Sequence, residues 1–421
     1  MDSVFAVFVA FAACIVSARD FHVDAKSGDD GNDGLAPTRA WRSIKCASRQ
    51  KLAAGDRLLL RAGCVWRLDN TFHIRAAGSK DSPVVVGRYG DGPAPELRCS
   101  LDGLLLDWRR ETNGLWSASC GNIDIGNIVW DDGCGFKKPS LGDVSSEGDF
   151  WYDRESGRLF FKYRDDPRVT CRSLEISRRI VIVGIKGASG LVLSGLSLSY
   201  SGSHGIKAES VQDVTIRDCT FSWLGGSFLM EPSEKKPCGV RYGNGIEIWT
   251  GGMSRNIRVE GCLFSDIYDV AITNQGKLDG ELDGMVIFSN SIVRCEQGYE
   301  FWFSNPKYKV GSIEIRNNVF DDTGFGWSHA QRPNKIATHI LAYDVNCPKG
   351  RVVLQGNRFG RTAKCAIWLF GLGAEEWLEL GDNEIVDDFG GVFMWRVKGK
   401  WLERKLSLPK TMQRKMEEEA T

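Results

Sequence analysis

Residues 191–198 read LVLSGLSL, and the phrase returns as VTIRDCTF (214–221), IRVEGCLF (257–264), MVIFSNSI (285–292), IEIRNNVF (313–320), VVLQGNRF (352–359) and LELGDNEI (378–385). Each copy is an alternating apolar strand, a turn bearing Gly, Asn or Cys, and a closing Leu, Phe or Ile. The closing residues Leu198, Phe221, Phe264, Ile292, Phe320, Phe359 and Ile385 are spaced by 23, 43, 28, 28, 39 and 26. The short intervals match one coil of a parallel β-helix, and the long ones read as the same coil carrying an inserted loop.

Two positions before the closing residue stand Cys219, Cys262, Asn290, Asn318, Asn357 and Asn383. An Asn amide both donates and accepts, so copies stacked coil on coil can bond to one another and to the turn they occupy. Cys is a small buried substitute in that column. A second strand follows each turn, as in HGIKA, NGIEIW, DVAITN, GYEFWF, CAIWLF and GVFMWR. Period-2 alternation in these strands sends one residue inward and the next outward. A sandwich or propeller would need hairpin turns between equal strands, or repeats nearer 40 residues. The fold class expected is therefore all-β: a right-handed parallel β-helix with a small β-hairpin insertion and a short C-terminal helix.

Outward from this repeat, residues 20–127 carry similar strands less regularly and are expected to form the first coils. The stretch DFWYDRESGRLFFKY is a hairpin turning at Glu155-Ser156-Gly157, which places an insertion at 128–170. The β-helix is expected over 19–397, with 398–421 as a charged helical cap or tail. Val4 to Val16 is an apolar run ending in small residues, too short to span a bilayer, and reads as a signal peptide over 1–18 of a secreted chain. No membrane insertion is expected. Removing Cys14 leaves 12 of the 13 cysteines, an even number in an oxidising compartment, so disulfides are expected. With 54 basic and 54 acidic residues the chain has no net field to draw in nucleic acid. Nothing in the pattern calls for an oligomer, and a monomer is expected. No Cys/His cluster has zinc spacing, and no metal site or other cofactor is assigned. Asp29, Asp30, Asn32 and Asp33 in GDDGNDG could supply oxygen ligands to Ca²⁺, but lack the closing Glu of an EF-hand, and a plain turn is the simpler reading.

The opening FHVDAKSGDDGNDGLAPTRAWRSI with AAGDRLLLRAG resembles the N-terminal segment of secreted parallel β-helix proteins, including polysaccharide lyases and glycosidases of the pectate-lyase-like group. DFWYDRESGRL, RYGNGIEIW, IYDVAITNQG and HAQRPN are similar to a bacterial-type family of right-handed β-helix proteins. The resemblance implies the fold and a polysaccharide or oligosaccharide partner. It carries no residue-by-residue match to a lyase's basic pair or calcium ligands, and fold alone does not set function.

Chemistry is expected on outward positions of the second strand. Placing Ile246, Val270 and Tyr299 in one inward column puts Glu247, Ala271 and Glu300 in the adjacent outward column, with Trp249, Thr273 and Trp302 in the next. Coils are about 4.8 Å apart, so Glu247 and Glu300 would stand about 9–10 Å apart, with Asp269 about 8 Å from Glu247. Inverting glycosidases hold their carboxyls about 6.5–9.5 Å apart and retaining ones about 5–5.5 Å, so these pairs favour inversion. Trp249 and Trp302 are candidates to stack on sugar rings, and Asn274 and Gln275 to orient hydroxyls. The alternative is that the glutamates are solvated sheet positions paired with Lys207 or an Arg. In-out alternation makes burial of Glu247, expected only from a reversed strand register, the observation that would overturn the whole site reading.

A second constellation lies between Phe320 and Phe359: His329, Gln331, Arg332, Lys335 and His339. In a uronic-acid lyase or epimerase a cation neutralises the carboxylate while a base removes the neighbouring proton. The expected function is polysaccharide cleavage by acid/base carboxylates Glu247, Asp269 and Glu300. The alternatives are a lyase or epimerase using the histidine loop, and a non-catalytic glycan-binding protein using the Trp stripe.

Overall fold

The computed structural model describes residues 18–112, 114–131, 133–249, 251–370, 374–386, 392–397 and 400–405. The seven phrases stack in register. Leu191, Val214, Ile257, Met285, Ile313, Val352 and Leu378, the first residue of each, are successive parallel partners. The closing residues form a second parallel stack from Leu97 through Leu198, Phe221, Phe264, Ile292, Phe320 and Phe359 to Ile385. Their rings pile face to face inside, with Phe221 and Phe264 centroids 4.6 Å apart. The strands after each turn make the third face, from Phe72–Ala77 through Val183–Lys186, Ile206–Glu209, Ile246–Trp249, Val270–Gln275, Gln297–Trp302 and Thr338–Tyr343 to Cys365–Phe370. One apolar core runs through all three faces.

The asparagine column forms as its amides dictate. Asn290 Nδ2 donates to Asn318 Oδ1 at 2.9 Å, Asn318 to Asn357 at 3.0 Å, and Asn357 to Asn383 at 2.9 Å. Each amide also donates to a carbonyl of the matching strand one coil earlier, Val259, Ile287 and Ile315 in turn. Each side-chain oxygen accepts the backbone N–H of the column residue one coil earlier. Cys219 and Cys262 continue the column as buried thiols.

The two long intervals hold the insertions that build the site's wall. Between Phe221 and Phe264 lies an antiparallel flap, Ser227–Met230 with Val240–Tyr242. Between Phe320 and Phe359 lies the helix Trp327–Gln331 and the loop after it. Gly225 and Gly243 close the flap's neck. Gly243 has φ +137°, and a Cβ there would come within 2.1 Å of Gly225 Cα, so two backbones touch where only glycine fits.

The structure departs from expectation in several places. The first coils use residues 20–99, and Ser100–Arg178 form a separate antiparallel module with its own core around Trp108, Phe150, Phe161 and Ile176. The hairpin Asp149–Asp153 with Arg158–Lys162 is its centre. Strands 109–119, assigned from sequence to the helix, pair with that hairpin instead, because strand character alone does not name a partner. All twelve cysteines after Cys14 are free thiols, so none of the expected disulfides is formed. Segment 398–421 opens with the strand Lys400–Lys405, antiparallel to Val392–Val397. The rest of the segment, like the apolar stretch 1–17, lies outside the described residues. Among the described residues no helix is long and apolar enough to cross a membrane. The oxygens of the acidic loop are taken up internally. Asp29 accepts from Gly31 N, Asp30 from the N–H groups of Arg42 and Ser43, and Asp33 from Arg39.

Candidate functional site

A cleft of about 470 Å³ opens on the third face, floored by outward side chains and walled by the flap and the 332–336 loop. Lys207, Glu247, Thr273 and Glu300 are successive partners in one outward column. This corrects the expected register by two residues: Thr273, not Ala271, stands between the glutamates, and Gln275, not Thr273, is the partner of Trp302. A slip of two preserves the faces, so Ile246, Ile248, Ile272, Tyr299 and Phe301 point into the core as expected. Val270 does not join that core and Ala271 does, because the chain is still rounding the corner there.

Glu247 and Glu300 do not face open solvent as expected; they are only 4% and 9% exposed. Their burial is not a reversal of the strand, since both flanking residues of Glu247 remain in the core. The flap and loop cover the outward face and turn a sheet surface into a cleft floor. Sequence alternation assigns a face but cannot report what is laid over it.

Glu247 is held from three sides. Asn244 Nδ2 donates to Oε2 at 3.0 Å, Lys207 Nζ lies 3.3 Å from Oε1, and His204 Nε2 lies 3.4 Å from Oε2. His204 Nδ1 accepts the backbone N–H of Asn244 at 3.1 Å, which leaves the ring proton on Nε2, toward Glu247. Burial lowers the His204 pKa and keeps the ring neutral. The Lys207 pairing anticipated for a plain sheet position is present, but on a carboxylate removed from solvent.

Glu300 is the opposite case. Its carboxyl is pushed up to about 8, first by burial and then by the charges of Asp269 and Glu247, against the opposing pull of Thr273 and Arg332. Thr273 Oγ1 donates to Glu300 Oε2 at 2.8 Å. Asp269 lies just before its strand, its N–H bonded to Gly243 O, rather than two residues from Glu247 along the strand as expected. Its Oδ1 is 2.7 Å from Arg332 Nη1. Burial works against the Arg332 charge, but Asp269, Tyr268 and Glu296 outweigh it and hold the guanidinium protonated. The carboxylates and the distant loop, read apart in sequence, meet through this pair.

The rest of the loop constellation disperses. His339 is fully buried, stacked 5.6 Å from Phe359, with Nδ1 2.6 Å from Thr323 Oγ1; burial lowers it to about 4. At the start of the strand Thr338–Tyr343, the other ring nitrogen, Nε2, lies 3.1 Å from Gly360 O. His329 points away from the cleft to Glu296, Nδ1 to Oε2 3.0 Å, and Lys335 is exposed outside the lining. Asn274 is also corrected: it faces inward, accepting from Tyr299 Oη at 2.5 Å and donating toward Met285 Sδ. Gln275, Trp249 and Trp302 line the cleft. The indole faces are not bare, since Lys207 Nζ sits 4.6 Å from the Trp249 ring centre and Lys277 Nζ 4.2 Å from that of Trp302.

Sequence reading missed His204, Tyr242, Arg179 and Gln297. His204 had a signal, since HGIKA and NGIEIW put His204 and Asn244 at the same point of consecutive coils. Arg179 Nε donates to Tyr242 Oη at 3.0 Å, a pairing across 63 residues that no local pattern announces. A second cleft of about 510 Å³ lies near Trp66 and Arg75. Its one carboxylate, Asp69, is bound to Arg178 at 3.0 Å, so it lacks an acid pair. Among the described residues no group of three or more His, Cys, Asp or Glu is arranged to hold a metal.

Fold and cleft together define a parallel β-helix protein with paired carboxyls on one face. The chain belongs to the family described as "Right handed beta helix region", whose pattern matches residues 181–391. It is 36% identical over 66 residues to alpha-1,3-galactosidase A of Akkermansia muciniphila, covering 16% of this chain and 11% of that one. It is 32% identical over 78 residues to lacto-N-biosidase of Bifidobacterium longum subsp. longum, covering 18% and 5%. The chain thus spans about a tenth or less of the length of these curated relatives. A solved structure described as a glycoside hydrolase superposes with TM-score 0.52 at 10% identity, over 87% of this chain and 96% of that one, a likeness of fold alone.

Proposed function

We propose that this protein is a carbohydrate-active enzyme that hydrolyses a glycosidic bond, with Glu300 as general acid and Glu247 as its carboxylate partner. The carrying observation is two buried carboxyls of one column on the cleft floor in unlike settings: Glu300 raised to about 8 by burial and by the charge of Asp269, and Glu247 held by Lys207 Nζ at 3.3 Å and Asn244 Nδ2 at 3.0 Å. A carboxyl that keeps its proton near neutral pH can serve as the acid of such a pair. Glu300 gives its proton to the leaving glycosidic oxygen, and Glu247 takes one from the water that attacks the anomeric carbon. Glu247 and Glu300 are two coils apart, about 9–10 Å along the sheet, which favours single displacement with inversion. Asp269, fixed by Arg332, supplies negative charge beside the oxocarbenium-like transition state. Short similarities to a galactosidase and a biosidase support the same class. A lyase working through His329 and His339 finds less support, since neither histidine lines the cleft. We place the enzyme outside the cytoplasm, on the apolar run Val4–Val16.

The test is to incubate the purified protein with a panel of defined oligosaccharides and follow products by proton NMR and ultraviolet absorbance. Release of a sugar of inverted anomeric configuration is expected. An unsaturated, absorbing product would replace hydrolysis by elimination, and no turnover on any glycan would remove the enzyme reading.

A further inference from the structure

Two polar atoms on cleft-lining residues are buried without a protein partner. They are Gln297 Oε1, on a side chain 1% exposed, and Trp302 Nε1. A buried polar group left unpaired costs about 1–3 kcal/mol, so two around one cleft call for an account. Both belong to the strand Gln297–Trp302, which also carries Glu300. Gln297 begins it, beside Asp269, whose carbonyl takes the Gln297 N–H; Trp302 ends it, five residues and about 16 Å on. Glu300 lies between them.

The two ends differ in chemistry. Around Gln297 the lining is polar, with Arg332, Asn334 and Asp269, and the space runs on into an adjoining cavity of about 350 Å³ that shares Val240, Arg241, Arg332 and Asn334. Around Trp302 the lining is aromatic, but Lys277 stands over the indole and Tyr343 meets it edge-on at 5.6 Å. With a ring face occupied, the unpaired group that Trp302 brings to the cleft is its N–H.

We propose that these two atoms read the substrate, and that the substrate is an oligosaccharide with rings on both sides of Glu300. One unit presents a hydroxyl or amide N–H to Gln297 Oε1, and the unit across the scissile bond presents an oxygen to Trp302 Nε1. Trp302 is a hydrogen-bond donor here, not a stacking platform. A single-ring glycoside reaches only one of the two atoms and binds weakly. This rests on reading the cleft as a sugar site, but not on hydrolysis.

The test uses the full chain and binding, with turnover followed separately. Labelled parent, Gln297→Leu and Trp302→Phe are applied in the cold to a printed array of mono- and oligosaccharides, and melting temperatures are compared. The parent is expected to bind particular oligosaccharides over their component monosaccharides. Each variant should lose about tenfold in affinity, one hydrogen bond's worth, with no fall in melting temperature, because neither atom has a partner inside the protein. Parent-like binding by both variants, equal binding of single rings, or no binding to any glycan overturns the proposal. A lowered melting temperature in either variant would assign that residue a structural role and overturn it for that atom. Binding that behaves as expected in a parent without turnover would leave these contacts standing and remove the hydrolase reading.

Discussion

Glu300 makes the residue-scale reading measurable through pH. Its carboxyl titrates at about 8 in the folded chain and near 4.5 unfolded, so the folded state holds the proton more tightly between those values. Stability from this group is fullest below about 4.5 and falls as pH rises toward 8. Glu300→Gln, always neutral, should flatten that slope in melting temperature against pH; an unaltered slope would return Glu300 to ordinary titration. In activity, the general acid is lost as it deprotonates, so kcat should fall above about pH 8 and Glu300→Gln should remove that limb along with most turnover. Glu247→Gln tests the partner. It keeps the bond from Asn244 only as an amide acceptor, and turnover should drop about 10²-fold or more while glycan binding survives. Turnover near the parent level would make Glu247 a structural anchor for Lys207 and His204.

Among elements, the asparagine ladder carries the stacking. Asn318 accepts from Asn290 and donates to Asn357 and Ile287 O, whereas Asn383 stands at the last coil with no ladder residue beyond it among the described residues. Asn318→Ala leaves several buried groups unpaired, each worth about 1–3 kcal/mol, and should destabilise more than Asn383→Ala in urea unfolding. Equal losses would mean that the amides merely fill space. The ladder was legible in sequence because a solenoid repeats its own geometry, so one position in the phrase is one column in space. The flap was not legible as a flap: residues 222–243 read only as part of a long interval, since loop length does not say which way a loop folds.

For the whole molecule, the antiparallel module and the cleft are mechanically joined. Lys137 and Asp124 form an ion pair with side chains 1% and 2% exposed, 2.7 Å apart, and Asp124 also accepts the backbone N–H of Phe228 in the flap at 2.8 Å. Gln331 ties the same region to the loop, accepting from Arg241 and from Lys137 N and donating to Gly135 O. Lys137→Met leaves the buried Asp124 carboxylate with Arg154, 3.8 Å away, as its one remaining cation among the described residues, and should cost about 3 kcal/mol. It should also lower turnover measured well below its melting temperature, because the flap wall loses its brace. A variant that melts early yet turns over at the parent rate would separate the module from the site.

The chain's own pattern determined the coil, the in-out faces of its strands and the column that stacks them, because period-2 alternation and the turn's hydrogen bonds are local and repeat. It also marked Glu247 and Glu300 as a pair on one face, which a register error of two left intact. Tertiary structure alone decided what lies over that face. The flap at 227–242 and the loop at 332–336 close across the sheet, bury the two acids and bring Arg332 to Asp269, while His339 lies in the core. Arg332 and Asp269 stand 63 residues apart in sequence, and the energy of such pairings comes from desolvation and charge pairing in the assembled cleft, which no local period encodes.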